Sequence, residues 1–380
     1  MKNNTCLEMD LISKELRLLL DILKTKEDSK LEKKSELFLN IDWELFLLLA
    51  RHHRVYPLIY SKLKGIDEKL VPQHVVEALY QEYKKNTFQM LHLCGEIEKI
   101  GKKFTENNIP LLFLKGPVVA HYLYGDISLR TSRDLDILIP ITNLEKAEKL
   151  LLSFGYERMD PEVLNKWNWR DHHITYFNPK IRTLIEIHWR LHPRPSKEPS
   201  FNELWERKRK SMLTSYPVYF LGEEDLFFFL SVHGSRHGWF RLRWLTDIDQ
   251  MVRKGLCIGG NNRLLKKFQY NHIVGQAFIL SSQLLYTQIN EEMKKLTVRN
   301  LSKKLAQKSF TYINGVSEFN PPKDYMFLLN TTTQKFLFVV NLFIPRYQDV
   351  EVIRLPKLFH FLYFPLRPFL WAWRKTRKQI

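Results

Sequence analysis

The sequence predicts an α+β fold in which a small mixed sheet sits between two helical regions. Three observations predict it. Apolar residues recur at helical spacing through residues 7–100, with charges on the opposite faces. Near Asn107 the pattern changes to short apolar runs broken by Gly, Pro and Asn, which mark strands and tight turns. From about Phe201 the helical spacing returns. The expected organisation is therefore a helical region over 1–100, a strand-containing core over 101–195, a second helical region over 196–350, and a tail over 351–380.

In the first region, Leu11, Leu16, Leu18, Leu19, Leu20 and Leu23 fall on or near one helical face, and Trp43–Leu49 and Val75–Ile100 repeat the pattern. Residues 24–34 are almost all charged or small and read as a loop or a solvated helix end. In the core, Ile109–Leu114 reads as a buried strand stopped at Lys115-Gly116-Pro117. Val118–Tyr124 is a short helix ending at Gly125. Leu135–Ile139 is a second strand, closed by Pro140. Thr142 or Asn143 caps a helix that runs to Gly155. Ile174–Phe177 and Thr183–Leu191 are two further strands around an Asn178-Pro179 turn. Helices follow through Leu226–Leu230, Leu242–Val252 and Ile279–Tyr286.

Of 380 residues, 44% are hydrophobic, enough for a sizeable core, so global disorder is excluded. With 59 Lys+Arg against 41 Asp+Glu the formal charge is +18, which calls for an anionic partner: nucleotide phosphates, nucleic acid or an acidic membrane surface. Cys6, Cys94 and Cys257 form no CxxC pair and no zinc pattern. A reducing compartment fits them. The N-terminus has no signal-peptide core, and no run of about 18 apolar residues is present. The expected location is the cytoplasm, with peripheral membrane contact as an option.

The most informative segment is Arg133-Asp134-Leu135-Asp136-Ile137-Leu138-Ile139. Side chains alternate along a strand, so Asp134 and Asp136 share one face while Leu135, Ile137 and Ile139 point into a core. Two adjacent carboxylates repel unless cations sit between them, as they do where magnesium ions meet a triphosphate. The alternative is a half-exposed strand end with two solvated acids. In Thr183–Trp189 the same alternation puts Glu186 and His188 on one face. If the two strands are neighbours, three acids converge. Lys115-Gly116 supplies a basic side chain and a free backbone before a helix N-terminus, a combination suited to phosphate.

The order strand, Lys-Gly, helix, Arg, Asp-x-Asp, helix, strand with a third acid resembles the DNA polymerase beta-like nucleotidyltransferase superfamily. It is closest to that superfamily's bacterial branch of uncharacterised nucleotidyltransferases. The matching segments are Phe113–Gly116, Arg133–Ile139, Glu186–Trp189 and His233–Asp247, over roughly residues 90–250. The sequence departs from that pattern in three places. Lys115-Gly116-Pro117 replaces the usual Gly-Ser or Gly-Gly turn, so one backbone donor is lost. The separation from Gly116 to Asp134 is longer than usual. Glu186 stands where many members carry Asp.

The resemblance implies a polymerase beta-like core and metal-dependent transfer of a nucleoside monophosphate from an NTP, ATP foremost, to a hydroxyl-bearing acceptor, with release of pyrophosphate. Two Mg2+ ions are implied, with Mn2+ as a substitute, held by Asp134, Asp136 and Glu186. Lys115, Gly116, Arg130 and Arg133 are the implied phosphate contacts, and Arg236 and His237 the nucleotide or acceptor contacts. His188 would orient Glu186 by a hydrogen bond. An RNA-end or tRNA nucleotidyltransferase is one alternative. A non-catalytic nucleotide-binding or regulatory protein on the same fold is another.

Other patterns carry less. His233 and His237 lie four apart, but Gly234 stands where a zinc protease needs Glu. Asp247 and Asp249 read as packing partners for Arg241 and Arg243. His172-His173 precede a strand and are not expected to bind metal. No GxSxG and no P-loop is present. The tail carries Arg354, Lys357, Arg367, Arg374, Lys375, Arg377 and Lys378 with no acid after Glu351, around an aromatic stretch containing Trp371 and Trp373. It reads as core packing, a contact with an anionic membrane, or a nucleic-acid contact, and Pro365 and Pro368 are expected to break a single long helix.

Overall fold

A computed structural model of the chain describes residues 7–24, 35–159, 172–256, 263–315, 320–345 and 347–377. Cys6, Cys257, Lys378 and most of the charged segment at 24–34 lie outside the described residues.

Seven strands form one mixed sheet: β1 (Leu112–Phe113), β2 (Asp134–Leu138), β3 (Glu157–Arg158), β4 (His173–Asn178), β5 (Thr183–His188), β6 (Arg209–Ser211) and β7 (Val218–Phe220), in the spatial order β3-β4-β5-β2-β1-β7-β6. The pairing that positions the site is β2 with β5. They run parallel, with Asp134 opposite Leu184, Asp136 opposite Glu186 and Leu138 opposite His188. β4 is antiparallel to β5 and puts His173 opposite His188. β1 is antiparallel to β2 and parallel to β7.

The helix Gln73–Glu106 buries Val75, Leu79, Met90, Leu93, Ile97, Ile100 and Phe104, the i, i+3, i+4 and i+7 spacing of one apolar face. Its close approach to β7 requires Gly101, where a Cβ would stand 2.7 Å from Cγ1 of Val218. One buried apolar cluster extends from Leu7 to Leu329 and joins the helices before the sheet, the sheet, and the helices after it.

Several expected elements differ in detail. The first strand shortens to two residues, and Pro110 within the expected run cannot donate to a neighbour. β3 and the β6–β7 hairpin were not expected at all. Each strand is two or three residues long, too short for an alternation to register, and the hairpin lies in a region read as helical. The helix Pro117–Tyr124 ends as expected at Gly125, whose φ of 77° is left-handed.

The tail corrects the expectation that its prolines break a helix. The helix Tyr363–Arg377 runs through Pro368. Pro365 falls in the first turn, where amide groups have no intrahelical partner, and only Pro368 removes a bond. The tail packs on the helix Tyr347–Val352 around a small core of Val350, Tyr363 and Leu370, separate from the main cluster. Arg367 and Arg374 both pair with Asp349, which is fully buried, at 2.5 and 2.8 Å. No described helix is long and apolar enough to cross a membrane.

Candidate active site

The site lies on one face of the sheet where β2 and β5 run side by side. Alternation on β2 sends Leu135 and Ile137 into the core and leaves Asp134 and Asp136 on the opposite face. Glu186 is the register partner of Asp136, so the third acid joins them from the neighbouring strand. The tightest group is Asp136, Glu186 and His188, whose ligating atoms all lie within 4.8 Å of one another. Asp134 is outside that group, one same-face step toward the start of β2.

Asp136 is 1% exposed and is held from two sides. Lys115 Nζ lies 3.2 Å from its Oδ1 and 5.6 Å from the centre of the Phe229 ring. His188 Nε2 lies 3.2 Å from the same oxygen and 3.2 Å from Oε2 of Glu186. Both carboxylates accept, so Nε2 carries the proton. The other oxygen of Asp136, Oδ2, is buried without a hydrogen-bond partner. Burial opposes the ionisation of Asp136, but Lys115 and His188 outweigh it and hold the carboxyl below its ordinary range. Asp134 goes the other way. Burial raises it first, and the negative charge of Asp136 adds to the rise. For His188, burial disfavours the charged form, yet the hydrogen bonds to Asp136 and Glu186 prevail and raise its pKa.

Lys115 is set by the turn that follows β1. Gly116 has φ 77° and ψ −151°, a conformation only glycine takes readily, and it caps the helix Pro117–Tyr124. Its Cα faces the backbone oxygen of Asp134 and Oγ of Ser132, each 3.9 Å from where a Cβ would be. Ser132 Oγ donates to the Asp134 carbonyl at 3.1 Å.

The expected phosphate contacts divide. Arg133 is exposed beside Asp134. Arg130 is 2% exposed and belongs to a different arrangement: its Nε and Nη2 donate to the two oxygens of Asp247 at 3.0 Å each. Tyr124 donates to the same carboxylate at 2.9 Å. Arg130 is therefore a buried structural cation, and the expected pairing of Asp247 with Arg241 or Arg243 gives way to it. Asp249 pairs instead with Arg253 at 2.6 Å and accepts from Thr287. Arg236 reaches Ser196 Oγ at 3.4 Å. His237 is exposed and stacks on Trp244 at 5.0 Å.

Sequence reasoning missed a group of arginines around Asp134. Arg243 is buried and donates from Nη1 to the carbonyl of Thr131 at 2.6 Å. Burial, then Arg130 and Arg54, lower its pKa to about 9, while Asp134 opposes the shift. Arg54 is lowered to about 10 by burial, then by Arg241 and Arg133, again with Asp134 opposing. Cations that depress one another lie in one another's field. No local signal announced this. Arg54 stands in the first helical region, far from the Asp-x-Asp in sequence.

Comparison with known proteins gives the family. A model of the uncharacterised nucleotidyltransferase family matches residues 40–285, more than half of the chain. No curated protein matches. Among solved structures, an antigenic nucleotidyltransferase-like protein from Paracoccidioides brasiliensis is 16% identical, with 52% of this chain and 94% of that chain covered and a TM-score of 0.33. A likeness at that score carries no argument about this chain.

Proposed function

The chain belongs to the uncharacterised nucleotidyltransferase family, and from that premise we propose that it transfers a nucleoside monophosphate from an NTP, ATP foremost, to a hydroxyl-bearing acceptor on a core of the polymerase beta type found in the superfamily's bacterial branch. The observation that carries the reading is the in-register pair Asp136 and Glu186, with Oδ2 of Asp136 buried and unpartnered and Lys115 on its other oxygen.

The donor set fits divalent magnesium: carboxylate oxygens from Asp134, Asp136 and Glu186, one of them with an unused acceptor. Mn2+ would be accepted by the same oxygen donors. When bound, such ions neutralise phosphate charge and make the acceptor hydroxyl more acidic. The chain's own residues do the rest. Arg54, Arg133 and Arg243 bias the cleft toward a triphosphate. Lys115 leaves Asp136 for a phosphate of the departing pyrophosphate, and Gly116 lets the backbone approach it. Glu186, steadied by His188, takes the proton of the attacking hydroxyl. Reactions of this type need positioning and charge neutralisation more than covalent help.

Lys115 tests this assignment. A charge-assisted contact is worth roughly 1.5–3 kcal/mol, so Lys115→Ala is expected to weaken NTP binding by about one to two orders of magnitude. Stability should fall as well, because the lysine pairs with the buried Asp136, so affinity is compared at a temperature where the variant is folded. Calorimetric titration with ATP and Mg2+ reads the effect, and an unaltered affinity would reject the role.

We also propose that the tail rests on an anionic membrane surface. It shows solvent Leu358, Phe361, Phe369 and Trp373 together, at 53% or more, in a sequence that is basic and without acids after Glu351. Apolar side chains exposed in that number call for a covering surface. Arg367 and Arg374 are taken up by Asp349, and each other basic residue near such a surface adds about 1 kcal/mol, an attraction that salt screens. The protein is expected to co-sediment with phosphatidylserine vesicles at low salt and to release at high salt. Phe369→Ser with Trp373→Ser should abolish the binding without loss of fold. Equal sedimentation of the double variant, or none by the parent, refutes the assignment.

A further inference from the structure

The strand pairing creates a second group of potential ligands that the sequence does not show. His173 opens β4 directly opposite His188 on β5, and His172 precedes it. The rings of His172 and His173 lie 5.4 and 5.0 Å from that of His188 and 4.4 Å from each other. Nδ1 of His173 approaches Nε2 of His172 to 3.2 Å. One ligating nitrogen from each of the three lies within 4.8 Å of the others. Nitrogens around a tetrahedral zinc ion at about 2.0–2.1 Å stand about 3.3 Å apart, so the trio needs only small movements to close.

A stack of three rings could be mere packing, but His188 supplies an independent observation. It is 96% buried by its 4% exposure, its Nε2 serves Asp136 and Glu186, and its Nδ1 is buried with no hydrogen-bond partner. The two nitrogens of an imidazole point away from one another. The unused nitrogen is thus directed away from the acids. Buried polar atoms seldom go without a partner.

We propose that His172, His173 and His188 bind a divalent transition-metal ion of the zinc class, beside the carboxylates and distinct from any magnesium they hold. Three imidazoles suit zinc, whereas magnesium prefers oxygen. Held there, the ion would fix the ring of His188 from the side away from Asp136 and Glu186, and so orient its Nε2 toward both acids. The inference does not depend on nucleotidyl transfer, because metal binding is read without nucleotide.

The test uses the full chain, stripped with a chelator and titrated with Zn2+ alone, with metal content measured after dialysis. One zinc per chain is expected, retained against millimolar Mg2+, and Co2+ in its place should give visible bands of nitrogen ligation. His172→Gln with His173→Gln should weaken zinc binding at least about a hundredfold, since even outer partners of ligands are worth about 10–100-fold. Glu186→Gln, which removes only an outer partner of His188, should weaken it less than loss of the two histidines. If the double variant does not fold, His172→Gln alone, which lies outside the strand, should still weaken binding at least tenfold. The proposal is overturned if Zn2+ does not bind at micromolar concentration, or if Mg2+ displaces it. It is also overturned if binding survives loss of the two histidines, or if it falls with Glu186→Gln instead, which would place the ion among Asp136, Glu186 and His188.

Discussion

Asp136→Asn should lower Mg2+-dependent release of pyrophosphate from ATP by at least about two to three orders of magnitude, the usual cost of removing one preorganised electrostatic group. The fold should survive. Leu135, Ile137 and Ile139 supply the core packing of β2, and Asn keeps the shape of Asp. Three carboxylates on one face repel one another, so the loss of one charge relieves repulsion even as Lys115 and His188 lose an acceptor. Because Lys115 and His188 hold Asp136 below its ordinary range, losing their acceptor outweighs that relief, and the melting temperature is expected to fall somewhat while the fold persists. Pyrophosphate release and circular dichroism on the purified variant decide the matter. Undiminished turnover would make the Asp-x-Asp a structural feature.

Arg130→Met should act chiefly on the fold, with a large loss of stability. Asp247 is fully buried, and apart from Tyr124 and the edge of Thr246 its neighbourhood is organised around that guanidinium. Removing one member of a buried pair strands the other charge and costs about 3–5 kcal/mol. The urea midpoint should fall accordingly. Arg130→Met combined with Asp247→Leu should recover much of the loss, since replacing both members by apolar groups is often near neutral. A phosphate-binding arginine would behave differently: the single variant would unfold normally and bind ATP poorly. That pattern would return Arg130 to the cleft.

The two variants separate what could be read in the sequence from what could not. Asp134, Asp136, Glu186 and His188 were legible because strand alternation is a local property with a period of two. The same holds for the Lys115-Gly116 turn and for the helix ends at Gly125 and Gly155, where a left-handed residue is needed. Arg130 and Arg133 looked alike, two cations flanking one motif. Only the structure distinguishes them, because the partner of Arg130 stands 117 residues away in sequence, on a helix whose docking no local pattern describes.

The sequence by itself determined which side chains share a face, where β2, β4 and β5 lie to within a few residues, and that the chain carries excess positive charge. Tertiary structure decided which faces meet. It set β5 beside β2 with Asp136 opposite Glu186, brought Arg54 from the first helical region to the neighbourhood of Asp134, and placed His173 against His188. The physical reason is that periodicity follows from backbone geometry within a few residues. Register and ion pairing depend instead on burial and hydrogen-bond satisfaction summed over segments far apart in the chain.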